Sequence, residues 1–123
     1  GYHNISHHGK DEAKLKQLAE IEIGQMELFN ELLQGLKDVE EADGTLLDHA
    51  MVLYGCHMGD ANIHNNKNLP VILAGGGFKH GQHLAFNEDN NAPLANLYVN
   101  MLENMGLEQT KFASSTGTLT GLS

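Results

Sequence analysis

The densest group of residues able to do chemistry lies in His3-Asn4-Ile5-Ser6-His7-His8. Neutral imidazole is the commonest nitrogen ligand for zinc, copper, iron and nickel. His3 and His7, four residues apart, can converge on one ion from a turn or a helix. A further ligand then normally comes from a distant segment. The stretch 56–68, Cys-His-Met-Gly-Asp-Ala-Asn-Ile-His-Asn-Asn-Lys-Asn, offers His57, Asp60 and His64 as such donors. Asn62 and Asn65 carry amides able to donate hydrogen bonds to substrate oxygens. Cys56 stands beside His57, but neighbours on an extended segment point to opposite sides and do not form a nucleophilic dyad. Cys56 is therefore expected to be buried and inert. His49, His80 and His83 are read as surface or capping residues. No serine has a nucleophile-elbow context, no glycine-rich phosphate loop carries a lysine, and no carboxylate pair of the glycosidase kind stands out.

The elements that must position these residues follow from periodicity. Residues 11–37 read as one amphipathic helix capped by Asp11, with Leu15, Leu18, Met26, Phe29, Leu33 and Leu36 at helical spacing. Ile21, Leu28 and Leu32 widen the apolar stripe, which implies burial against more than one neighbour. Residues 38–44 form a polar connection. Two short apolar runs, 50–55 and 69–74, do not alternate cleanly, as expected of strands buried on both faces of a parallel sheet. The long helix would then be a crossover, with a further strand upstream of His3. Gly75-Gly76-Gly77 marks a turn. Residues 78–86 suggest a small hairpin turning at His80-Gly81. Pro93 opens a second helix that Gly106 ends. Residues 107–123 read as an irregular tail. The whole of 1–123 is expected to be one partial domain, the C-terminal portion of a larger α/β domain.

Composition narrows the function classes. The 123 residues hold 16 acids against 7 bases, for a formal charge of −9. All the bases are lysine. The acidic balance disfavours nucleic acid as a partner, and the lack of arginine removes any guanidinium clamp for phosphate or sulfate. The acids concentrate in residues 11–43, ten against three lysines, as expected of a solvated helix face. A single cysteine excludes an internal disulfide. No apolar run approaches the length of about 18 residues that a membrane span requires.

His3-Asn-Ile-Ser6-His7-His8 resembles the HxxSHH motif that names an exported bacterial family of uncharacterised function. The stretches Asp43-Gly44-Thr45-Leu46-Leu47-Asp48, Met58-Gly59-Asp60, Asn68-Leu69-Pro70-Val71 and Pro93-Leu94-Ala95-Asn96-Leu97 are similar to that family too. The resemblance covers essentially the whole chain, which corresponds to the C-terminal part of those longer proteins. The family resembles a distant branch of the alkaline phosphatase and sulfatase superfamily. The resemblance implies a three-layer fold, mainly parallel sheet flanked by helices. It also implies a divalent metal, zinc first with calcium, copper or iron as alternatives. The implied ligands are His3, His7, His8 and His64, with His57 and Asp60 as catalytic groups. His3 and Cys56 stand where that superfamily carries aspartates. The complete protein would be a metal-dependent hydrolase of small anionic esters, in the periplasm, at the cell surface or outside the cell. The alternative is a non-catalytic exported binding or structural module that keeps the fold and a histidine metal site. The expected partners are the remainder of the parent chain or a second copy.

Overall fold

The computed structural model describes residues 1–87 and 89–122. The chain runs α1 (Tyr2–Ser6), α2 (Glu12–Lys37), β1 (Glu40–Glu41), β2 (Gly44–Thr45), α3 (Leu46–His49), β3 (Met51–Gly55), β4 (Val71–Gly75) and α4 (Ala95–Asn104). A single 3-10 turn, Ala61–Ile63, interrupts the connection between β3 and β4. No helix among the described residues is long and apolar enough to cross a membrane.

The long helix forms where its periodicity places it. The Asp11 carboxylate accepts the Lys14 N–H at 2.9 Å, which satisfies one of the free donors of the first turn. One face of α2 lies against β3. There the Phe29 and Tyr54 rings are 5.0 Å apart, and the Tyr54 hydroxyl donates to Gln25 Oε1 at 3.1 Å. The helix meets more than one neighbour, α1 and α3 besides β3, but the expected burial fails: no residue of α2 is buried, and Leu28 and Leu32 are exposed.

The two apolar runs are strands and they are neighbours, but they are antiparallel, with Met51 opposite Gly75 and Gly55 opposite Val71. This overturns the parallel, three-layer alkaline-phosphatase-like architecture. Among the described residues the sheets are two antiparallel pairs, β1–β2 and β3–β4. The connection decides the direction. Parallel neighbours need a crossover that carries the chain back to the starting edge, usually as a helix. The 56–70 segment instead folds back on itself through a bridge between Asp60 and Asn65. Gly59 permits the fold-back, since a Cβ there would collide with the Lys67 carbonyl. Both strands are half-buried rather than covered on both faces.

The expected hairpin at 78–86 is also absent, because its backbone pairs elsewhere. The Lys79 N–H donates to the Leu122 carbonyl at 2.9 Å, and beside it the Gln82 side-chain amide donates to the Gly121 carbonyl. The tail is irregular in shape but pinned along α4. The Asn96 side chain accepts the Thr116 N–H at 2.8 Å. The Asn100 side chain accepts the Leu119 N–H at 2.7 Å and donates to its carbonyl at 3.1 Å. Asn104 donates to the Gly76 carbonyl at 2.9 Å. Asparagines four apart on one helix face thus act as a backbone substitute for the tail and the turn after β4. Among the described residues the buried apolar ones, Ala95, Leu97 and Val99, lie on the same helix, with Val99 fully enclosed.

Residues 38–44, expected to be plain connection, form the β1–β2 hairpin that feeds α3. Asp48 Oδ2 accepts both the Thr45 N–H at 2.7 Å and the Thr45 hydroxyl at 2.8 Å. These bonds, the backbone one foremost, hold its carboxyl below the ordinary range, helped by the nearby charges of His49 and Lys37. A carboxylate with a lowered folded-state pKa contributes stability that is fully present above the unfolded value of about 3.9. That contribution is lost as pH falls through the lower folded value. The Asp48→Asn variant should therefore melt below the wild type at neutral pH. The gap should narrow as pH falls below the ordinary carboxylate range, as read by circular dichroism melts across pH. Asn100→Ala should cost about 1–3 kcal/mol in chemical unfolding and make the 107–122 tail the first site of limited proteolysis.

Candidate metal centre

The HxxSHH segment forms α1 and the turn that leaves it. The Ser6 hydroxyl, buried, donates to the His3 carbonyl at 2.9 Å, and the His7 N–H donates to the same carbonyl at 3.2 Å. This last turn sets the His3 and His7 rings on one side, with centroids 4.6 Å apart and edge to face. The chain then reverses into α2 through left-handed Gly9 and Lys10, at φ 57° and 66°. His8 takes part in that reversal, since its Nδ1 accepts the Lys10 N–H at 3.0 Å. The Lys14 ammonium donates to the His7 carbonyl at 3.4 Å.

The β3–β4 connection brings the third imidazole. Asp60 Oδ1 accepts the Asn62 N–H at 2.9 Å and so caps the 3-10 turn. Gly59 and Asp60 both donate their N–H groups to the Asn65 carbonyl, at 2.9 and 3.2 Å. His64 closes the turn in the left-handed region, φ 54° and ψ 35°. A non-glycine residue there carries steric cost and persists only where its surroundings hold it. Its ring lies edge to face on His7, centroids 4.7 Å apart, and the two Nε2 atoms are 3.2 Å from each other. Asn62 Oδ1 accepts the Gly9 N–H at 2.7 Å, which ties the loop to the end of the histidine motif.

Three of the expected ligands, His3, His7 and His64, are thus stacked in one cluster, while the other site residues have different surroundings. The Nδ1 of His8 is bonded to the turn into α2. Asp60 Oδ1 serves the cap of the 3-10 turn. His57 and Cys56 are exposed, so the expectation of a buried cysteine is corrected. Cys56 instead lies near Tyr2, whose hydroxyl pKa is raised by partial burial first and then by Glu22, Cys56 and Tyr54. Asn62 serves as a tether through its Oδ1, and Asn65 Oδ1 accepts the Lys67 N–H at 3.0 Å. Of the remaining histidines, His49 pairs with Asp43 and Glu41, and His80 contacts the Gly75 carbonyl.

Two chemistries fit the His7–His64 contact. One imidazole N–H can donate to the other ring's bare nitrogen. Alternatively, both bare nitrogens can bind one ion. Nitrogens bonded to a tetrahedral zinc at its usual bond length lie about 3.3 Å apart, and the observed separation matches that edge. Among the described residues, no group of three or more His, Cys, Asp or Glu side chains already forms a ready-made metal cage. The fit is therefore to two nitrogens, with the His3 ring packed beside them.

Comparison with protein-family models, with curated proteins and with solved structures yields no match. The site is read from its own geometry.

The tether makes a direct demand. Asn62→Ala leaves the Gly9 N–H without its side-chain acceptor at a cost of about 1 kcal/mol. The Gly9 amide should exchange with solvent about fivefold faster in the variant, as followed by NMR, while amides of α4 keep their protection.

Proposed function

We propose that the chain carries a histidine site for one divalent transition ion, zinc in the first place, held by His7 and His64 and completed by His3. The observation that carries this reading is the 3.2 Å separation of the His7 and His64 Nε2 atoms. The His3 ring is already in contact with His7, and it would have to turn to another rotamer to offer a nitrogen to the same ion. A tetrahedral ion held by three imidazoles keeps one position for water or an incoming ligand. Such an ion would supply Lewis acidity to an oxygen placed on it.

The reading favours a binding or structural module over a hydrolase. The neighbouring hydroxyl, Ser6, donates to the His3 carbonyl, and Asp60 caps a turn. Both side chains hold local backbone. The resemblance to the exported HxxSHH family agrees with this role and supports a site outside the cytoplasm.

Titration of the metal-free protein with cobalt(II) tests the reading. A tetrahedral three-histidine site should give ligand-field bands that saturate at one ion per chain and disappear on zinc addition. His7→Ala and His64→Ala should each weaken zinc binding by about a hundredfold or more by calorimetry. His8→Ala and His57→Ala should change it by less than about threefold. Unchanged zinc binding in His7→Ala would overturn the assignment.

A further inference from the structure

The long helix α2 exposes apolar side chains that the rest of the molecule does not cover: Ile23 at 59%, Leu28 at 66% and Leu32 at 51%. A shallow groove runs along one flank, lined by Ala19, Glu22, Ile23, Met26, Glu27 and Asn30. These positions recur at spacings of three and four, so they form one continuous strip of a helix. Two features point to an occupant. The first is uncovered surface. A folded monomer of 13.4 kDa is expected to expose about 6,500 Å², whereas this chain exposes 8,710 Å². That excess belongs to the whole chain, and the uncovered apolar side chains of α2 are one part of it.

The second is charge. Between residues 17 and 36 the helix carries Glu20, Glu22, Glu27 and Glu31 and no lysine. None of these carboxylates forms a salt bridge among the described residues. Glu22 and Glu27 flank the apolar Ile23 and Met26 in the groove. A second copy laid on this strip would set carboxylates against carboxylates. We infer that the α2 strip docks a basic amphipathic helix of another polypeptide segment. Its apolar face covers Ile23 and Met26, and its lysine or arginine residues pair with Glu22 and Glu27.

The test uses the intact chain and a fluorescein-labelled helical peptide of leucine and lysine only, about four turns long. Fluorescence anisotropy should show saturable binding at one peptide per chain. The same peptide with its leucines replaced by glutamine should bind at least about tenfold more weakly. Ile23→Gln should weaken the leucine–lysine peptide about tenfold. Glu22→Gln combined with Glu27→Gln should lower both the affinity and its salt dependence. Leu107→Gln, exposed away from α2, should change nothing. The inference fails if binding does not saturate, or if the glutamine peptide binds equally well. It fails also if Ile23→Gln binds like the wild type. Sedimentation of the free chain as a dimer that Ile23→Gln converts to a monomer would assign the strip to a second copy and overturn it.

Discussion

The antiparallel pairing of β3 with β4 is the constraint on which the rest of the molecule hangs. Its register sets Gly55 opposite Val71, so the 56–70 connection must leave and re-enter at the same end of the ribbon. A connection of that kind has to fold back on itself. The Asp60–Asn65 bridge and the glycine at 59 supply the reversal, and the reversal lifts His64 to the tip. At the other end of the ribbon, Gly75 approaches the Leu47 and Ala50 carbonyls more closely than any side chain would allow, with φ at 74°. Backbone approach at one end thus seats α3, and backbone reversal at the other end places the imidazole.

What could be read from the sequence divides along the range of the interactions. The long helix, the two strand segments and α4 were legible because apolar spacing and caps act over a few residues. Strand direction was not, since continuous apolar runs look alike in parallel and antiparallel pairs. The connection decides between them, and its signals, Gly59 and the Asp60–Asn65 turn, are polar and local. The hairpin expected at 78–86 failed for the opposite reason. Its backbone partner, residues 121–122, lies some forty positions away, and no spacing rule reports it. In the candidate site, the meeting of His3, His7 and His64 followed from an i, i+4 pair and a distant donor. His8 and Asp60 have the right chemistry too, but each is bonded to nearby backbone, the usual competing use of short polar side chains at turns.

Asparagine does much of the work that apolar contact does elsewhere. The amide side chain offers a donor and an acceptor in the same plane, as a peptide unit does. Asn100 engages both polar groups of Leu119, and Asn96 and Asn104 repeat the device one turn away on either side. Asn62 makes the equivalent connection between the histidine motif and the 3-10 turn. These bonds order irregular backbone without burying much surface. A chain whose buried apolar residues, among those described, are confined to α4 can therefore still hold a defined tail and a defined site.

That division of labour bears on what an ion would do. The α4 half has a small apolar core and the asparagine ladder. The α1 end is joined to the β3–β4 connection by the Gly9–Asn62 bond and the His7–His64 contact. Joining positions 7 and 64 closes a long loop, and the entropy of closing a loop rises only slowly with its length. A link there costs about 4 kcal/mol of chain entropy to close. Two hydrogen bonds of ordinary strength contribute little against that entropy. An ion bound by two or three imidazoles contributes far more, because ligand groups that are scattered in the unfolded chain bind it only once the fold has gathered them. The proposed ion would therefore act first on the fold: it would fasten the long helix and the sheet to each other at the end where apolar burial is thinnest.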